Sequence, residues 1–488
     1  MVDQYRRRWP DQTALKVDRR SVLLAGVALA GGGGAGSSGP PGGTATVTPQ
    51  MFGARADGST DDRGSVQAAI DHVAGIGGGT VFLPPGRYKI VAPRRKSDPA
   101  DRHRLDGAHL VIDRGNVALV GAGPRRSMLC FRALGDESHD DHWQVVRGKV
   151  WRGDGIVVRG GVDATTKIDQ IRIAGLTLDG GARRSGSIIW PANPLDGRGW
   201  DLTHKAIRLE EDLYVGRMTI EDCEIRHWRG ELIFQGGPNG DSMTIRRCLL
   251  HDGDGDAISS SMGNIVYDCL ISDVSFAGIE CGYYDKPSHY HHNQIVNAGY
   301  EGISLFYVPG KHAAGRQYLH NMVVRNCRKG LIGKSLTNAV ISDIEFIDCG
   351  WTTAGYRTIQ LYDTPVSPCA DVDIRKVRIV IDHRDLNVAV GLIRTGGVDW
   401  RNVRLSGLTL DRTSAAVVAG RSIGRLVEPD PTKLNSIPAT VLWSKVERAA
   451  IRREEPRPGQ PRPSSPEARQ PPGSTIGGSS TKPISGTD

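Results

Sequence analysis

A short apolar phrase returns six times between Met218 and Phe346, and nothing else in the 488 residues restricts the fold as tightly. The copies are Ile220-x-x-Cys223-x-Ile225, Ile245-x-x-Cys248-x-Leu250, Val266-x-x-Cys269-x-Ile271, Tyr290-x-x-Asn293-x-Ile295, Tyr318-x-x-Asn321-x-Val323 and Ile341-x-x-Ile344-x-Phe346. Steps between the central residues are 25, 21, 24, 28 and 23, a period of about 24. A second phrase keeps phase with the first. Some 9 or 10 residues after five of those centres, alternating segments begin at Leu232, Ile258, Ile279, Ile303 and Leu331. Ile207 opens a further copy upstream and Ile359 one downstream.

A repeat of this length means a solenoid, and alternation within each copy means strands rather than helices. A coil of about 24 residues with short strands and tight Gly and Asn corners is a turn of parallel β-helix. One coil cannot bury its own apolar edge; stacked coils can. Cys223, Cys248, Cys269 and the Asn positions then form a buried ladder at one corner, with Asn able to bond the neighbouring coil. Eight cysteines, mostly inside the repeat, indicate stacked thiols rather than disulfides or a metal knuckle. Although 488 residues would suggest several domains, the repeat predicts one continuous rod.

The formal charge of +8 is concentrated at the ends. Residues 1–30 carry six Lys/Arg against three Asp, and 452–488 carry six against four acids, leaving +3 on the body. That balance offers no basic stripe for nucleic acid. Residues 1–30 read as an export signal: Asp18-Arg19-Arg20-Ser21 precedes the apolar run Val22 to Ala30, which ends in Ala28-Leu29-Ala30. The paired arginines are similar to a bacterial twin-arginine signal, and the run is too short for stable membrane insertion. Residues 31–46 form a Gly/Ser/Pro linker, 47–91 a capping segment, 92–451 the rod with its insertions, and 452–488 a disordered Pro/Ser-rich tail.

Within 51–91, Phe52-Gly53-Ala54-Arg55-Ala56-Asp57-Gly58 leads through Thr60-Asp61-Asp62 into Val66-Gln67-Ala68-Ala69-Ile70. Gly77-Gly78-Gly79-Thr80-Val81 then runs on to Pro84-Pro85-Gly86-Arg87-Tyr88. Thr60, Asp61 and Asp62 supply N-cap oxygens for a helix to about Val73. The glycines stop that helix, and Thr80–Leu83 is a strand. A short amphipathic helix here would cover the open apolar end of the solenoid. This stretch resembles the opening of the pectate-lyase-like superfamily, whose members are right-handed parallel β-helices. The resemblance departs at Ala56, where that pattern has Gly; little effect is expected. It implies an all-β, single right-handed parallel β-helix with an N-terminal helical cap. The superfamily spans polygalacturonases, polysaccharide lyases, uronan epimerases and phage tailspikes, so it implies polysaccharide as partner and leaves the reaction open.

Outward positions on consecutive coils line up about 4.8 Å apart. Two columns follow: Arg208, Ile233, Ser259, Glu280, Ser304, Ile332, Gln360, and Glu210, Gln235, Ser261, Gly282, Phe306, Lys334, Tyr362. Glu231, Asp254, Asp256 and Glu301 lie in the turns just before. Acids, a lysine and aromatic rings on one face suit a sugar chain. The candidate catalytic residues are Asp254, Asp256 and Glu280, because glycoside hydrolysis uses two carboxyl groups. His251-Asp252-Gly253-Asp254-Gly255-Asp256 is similar to the Asp-rich turn of polygalacturonases, without their adjacent acids or a Gly-His-Gly. Tyr283, Tyr284, Glu301, Tyr307 and Lys334 are the candidate substrate-binding residues. Tyr283, Tyr284, Lys286 and His289 are of the types β-elimination needs, with Lys, Arg or Ca²⁺ neutralising the uronate. No protein metal site is assigned, and the Asp-Pro-His of uronan epimerases is absent. His289 and His291 flank inward Tyr290 and should face another side of the rod. Asp382-His383-Arg384-Asp385 reads as a solvated turn. The reading is an exported enzyme that cleaves a polysaccharide, acidic by preference, with a non-catalytic carbohydrate binder as the opposing class.

Overall fold

The computed structural model describes residues 45–93, 108–132, 144–146, 149–151, 153–181, 205–209, 214–236, 240–261, 263–282, 286–307, 314–351, 356–364, 367–393, 399–429, 439–446 and 451. Both expected phrases are strands, and apart from the hairpin Gln144–Val146/Lys149–Trp151 every paired strand among these residues is parallel to its neighbours. The first phrase forms two stacks. In one, Val215–Glu221, Gly240–Arg246, Asn264–Tyr267 and Ser288–His291 lie coil upon coil. In the other, Glu224–Trp228, Leu249–Gly253, Leu270–Val274 and Gln294–Val296 do the same. From Gln317–Arg325 onward one long strand serves both stacks. The second phrase forms an eleven-stranded sheet from Leu110–Ile112 to Ile423–Pro429.

One residue per coil turns the chain between the first two stacks. Asp222, Arg247, Asp268, His292, Asn321, Asp343 and Lys376 share φ between +52° and +55°. The short polar side chains of Asp and Asn tolerate this left-handed conformation best among non-glycine residues. Asp or Asn takes this corner in four of those seven copies, and Arg247, His292 and Lys376 adopt the same conformation in the others.

Inside, Ile220, Ile245, Val266, Tyr290, Leu319 and Ile341 stack in register, fully or almost fully buried. Each such side chain contributes about 1.5–3 kcal/mol by leaving water. The corner ladder reads Cys223, Cys248, Cys269, Asn293, Met322, Ile344, all buried. Asn293 donates from Nδ2 to Val266 O (2.8 Å) and accepts the Cys269 amide at Oδ1 (3.0 Å), the inter-coil role expected of it. The fifth copy is a register correction. Leu319, Met322 and Val324 point inward, while Asn321 is exposed.

The helix Arg63–Gly75 buries Val66, Ala69, Ile70, Val73 and Ala74 over the first coils. Of the expected cap oxygens, Asp61 Oδ1 accepts the Arg63 amide (3.1 Å). Asp62 makes no capping bond; its carboxylate accepts the amides of Arg55 (2.7 Å) and Ala56 (2.9 Å), tying down the segment before the helix. Ala56 stands at φ +56°, in the left-handed region, so the departure from Gly carries a backbone cost.

Candidate functional site

The turn before each strand of the eleven-stranded sheet is linked coil to coil by amide-to-carbonyl bonds. Gly155 donates to Lys205, Ala206 to Glu231, Leu232 to Asp256, Ala257 to Ala277 and Gly278 to Glu301. Asp154, Lys205, Glu231, Asp256, Ala277, Glu301 and Lys329 therefore form one column, with Glu301 paired to Lys329 in the sheet. Beside it on the strands run Arg208, Phe234, Ser259, Glu280, Ser304, Ile332 and Gln360.

Position 234 corrects the sequence reading. Ile233 pairs with Ile207 on one side and Ile258 on the other, so Ile233 and Gln235 face inward and Phe234 faces out. A one-residue slip exchanges the two faces of a strand, and the apolar pair Leu232-Ile233, both buried, hid the slip.

Four carboxyl groups collect where the columns meet. Glu231, Asp256 and Glu301 are each at most 5% exposed, and Glu280 is half-buried beside Ala277, the one position of the turn column whose side chain is only a methyl. The outer two have lysines: Lys205 Nζ is 2.7 Å from Glu231 Oε2, and Lys329 Nζ is 3.4 Å from Glu301 Oε1. The inner two have only neutral donors among the described residues. The Ala277 amide donates to Asp256 Oδ1 (2.7 Å) and Ser259 Oγ to Glu280 Oε1 (3.3 Å).

Burial raises all four acids, and repulsion from the others adds to it for Asp256 and Glu280. Burial, then the charges of Glu280, Glu231 and Glu301, drives Asp256 well above the usual carboxylate range. Burial with Glu301 and Glu231 moves Glu280 to about 7. Burial also moves Glu301 to about 7 despite Lys329, and raises Glu231 despite Lys205. Groups this closely coupled hold protons jointly. Tyr362, raised to about 12 by burial and then by Glu301, keeps its phenol proton.

Rings stand beside the acids. Phe276 stacks on Tyr300 (centroids 5.3 Å apart), and Tyr300 meets the edge of Tyr356 at 6.3 Å. Lys329 Nζ lies 4.0 Å from the Tyr300 centroid. Phe306 folds over Gly282, where an added Cβ would come within 2.1 Å of the ring.

The candidate residues separate accordingly. Asp256, Glu280 and Glu301 come together. Asp254 stands apart from that group, its carboxylate taken by Arg229 (2.7 Å) and Ser275 (3.2 Å). Lys334 lies in register between Phe306 and Tyr362 at the end of its strand, and Tyr307 packs partly buried against the core. Tyr283 and Tyr284 fall outside the described residues. Lys286 bonds Gly240 O, away from the acids, and His289 packs on Tyr318 in the other sheet, as expected of that face. The Asp382–Asp385 turn is not merely solvated: Asp348 accepts the amides of Asp382, His383 and Arg384. Lys205, Lys329, Tyr300 and Tyr356 were missed, although the lysines stand two residues and the tyrosines three before the first apolar residue of their strands, in the same turns that gave Asp256 and Glu301. Among the described residues no three His, Cys, Asp or Glu side chains are arranged to hold a metal ion.

The parallel, coil-upon-coil strand order defines a right-handed parallel β-helix protein. Residues 204–346 match the family described as "Right handed beta helix region". The chain is 44% identical over 72 residues to alginate lyase 7 and 53% identical over 72 residues to the mannuronan C5-epimerase AlgE4, both of Azotobacter vinelandii. Each match takes in 15% of this chain and only 7% and 11% of the respective relative. Among solved structures, the AlgE4 A-module of Azotobacter vinelandii superposes with a TM-score of 0.55 at 18% identity, covering 82% of this chain and 97% of the module. The AlgE6 A-module gives 0.52 at 16%, covering 82% and 98%.

Proposed function

We propose that this protein is an exported enzyme that cleaves a polysaccharide by acid/base catalysis in the groove over the eleven-stranded sheet. The observation that carries the reading is the inner carboxyl pair, Asp256 and Glu280, without a cation among the described residues and flanked by two lysine-bound acids. Such a pair gives up one proton and holds the other, which puts an acid and a base side by side near neutral pH. One carboxyl of the pair passes the shared proton to the glycosidic oxygen as the C–O bond breaks, and the other, ionised, takes the proton of the water that completes hydrolysis. The stacked rings Phe276 and Tyr300 offer a surface for sugar faces. Export rests on the twin-arginine-like pattern of residues 1–30.

A second reading, removal of a uronide's acidic carbon-bound proton, has support in the short identity to alginate lyase 7 and AlgE4. Tyr362, pushed to about 12 by burial, does not serve as its base. Incubation with a glycan panel, following reducing ends and the ultraviolet absorbance of unsaturated uronide ends together, decides between the two. Reducing ends alone are expected. Glu280→Gln should lower the rate by roughly 10²–10⁴-fold, the range for losing a general acid or base, with the far-ultraviolet spectrum unchanged. Undiminished activity in that variant removes Glu280 from the mechanism.

A further inference from the structure

Cations around the groove are not distributed evenly, and the uneven part is uncommitted. At the acid centre, Lys205 and Lys329 are bound to Glu231 and Glu301. The coil of Lys329–Lys334 is different. It carries Arg328 at its entry and Lys334 at its exit, with apolar Ile332 facing out between them. Arg328 is 8% exposed, yet among the described residues its guanidinium has no carboxylate; its partner is the ring of Tyr356, 5.9 Å from the centroid. Tyr356 in turn meets Tyr300, so Arg328 belongs to the same ring-lined wall as the acids. Lys334, half-buried between Phe306 and Tyr362, likewise has no ion pair among the described residues. A guanidinium held against a ring with no acid beside it can take one from a ligand.

The acid centre imposes the opposite demand. Among the described residues the cations beside Glu231, Asp256, Glu280 and Glu301 are Lys205 and Lys329, both already paired. A uronate at the cleaved unit would add like charge to acids that already repel one another. Glu280 pairs with Ser304, and Ser304 with Ile332, so the cationic coil lies two rises from Glu280, roughly 10 Å along the rod.

We infer that the groove reads a mixed glycan: an uncharged sugar at Asp256 and Glu280, and an anionic one, carboxylate or sulfate, two coils toward the C-terminus on Arg328 and Lys334. The inference rests on the cleavage site proposed above. It excludes a homopolymer bearing a carboxylate on every unit as the preferred substrate.

Binding tests it separately from catalysis. The full chain carrying Glu280→Gln is run by affinity electrophoresis through gels containing gellan, a linear glycan with one glucuronate per repeat among neutral sugars. Parallel gels contain carboxyl-reduced gellan, polygalacturonate or no polymer. Retardation by gellan is expected, weakened at least about tenfold by carboxyl reduction, the scale of a lost charged hydrogen bond. Adding Arg328→Gln and Lys334→Gln should cost the same factor and abolish the difference between the two polymers. Equal retardation by reduced gellan, unchanged behaviour of the triple variant, stronger retardation by polygalacturonate, or no retardation by gellan overturns the inference. The reading beneath it fails by another result: bond cleavage that persists in Glu280→Gln.

Discussion

Single residues here pay for function and for topology in different ways. Glu280 is held near 7 against an ordinary 4.5, so the folded state keeps a proton that the unfolded chain gives up between those values. A raised acid favours the fold below the unfolded value and loses that advantage as pH climbs through the folded one. Its contribution to stability should therefore fall between pH about 4.5 and 7 and level off above. The 2.5-unit difference corresponds to roughly 3 kcal/mol for this group. Urea midpoints at several pH values, in the protein and in Glu280→Gln, isolate the contribution: the variant should show a shallower decline. His251, raised through its bonds to Asp252 and Glu224 although burial opposes them, adds to the decline in both proteins and so cancels in the comparison. Ala56 is the converse case, a residue whose conformation rather than charge is out of place. At φ +56° it carries the left-handed penalty that Gly escapes, offset in part by the greater freedom of Gly in the unfolded chain. Ala56→Gly should raise stability by roughly 0.5–1 kcal/mol, read as an upward shift in thermal midpoint.

At the scale of the element, the interior was legible because period and burial repeat the same message. Ile258, Ile279, Ile303, Leu331 and Ile359 stack as their spacing says. Legibility failed where two adjacent residues could both fill the inward slot. Leu232-Ile233 and Tyr318-Leu319 each offered such a choice, and in both the later residue takes the strand position. The acids came through for a related reason: Asp256 and Glu301 stand two residues before the first apolar residue of their strands, a distance the repeat fixes. Which acid keeps company with which did not come through. The Arg229 bond that removes Asp254, and the lysines that leave Asp256 and Glu280 as a pair, depend on side-chain reach between coils. The corner ladder offers a test of the element itself. Asn293→Ala strips partners from the buried Cys269 amide and Val266 carbonyl and should cost roughly 1–3 kcal/mol, read from chemical denaturation. Asn293→Cys should cost less, since Cys223, Cys248 and Cys269 already fill this slot and bond a backbone carbonyl two residues before themselves. Equal losses would mean that the hydrogen bonds of Asn293 contribute nothing beyond its volume.

For the whole molecule, a stack of coils in which each touches mainly its neighbours has stability that is local and ends that are vulnerable. The first coils are closed by the helix Arg63–Gly75, whose Val66, Ile70 and Val73 are at most 1% exposed against them. The groove acids lie many coils further along, from Glu231 to Glu301, so cap and active face are joined only through the intervening stack. That separation makes a sharp prediction. Ile70→Asp places an ionisable group where an apolar side chain is buried and should cost at least roughly 3 kcal/mol locally. In a cooperative globule the loss would be shared by every residue. In a nearest-neighbour rod, hydrogen exchange should quicken in Gly79–Leu83, Gly86–Val91 and Val117–Gly121, while the strands Ile279–Gly282 and Glu301–Phe306 keep their protection. Activity at moderate temperature should persist alongside the frayed end, because the strands that carry Glu280 and Glu301 pair with neighbours far from the cap. Uniform loss of protection from end to end would show instead that the rod folds as one unit, and that the cap acts on the groove through the whole length of the stack.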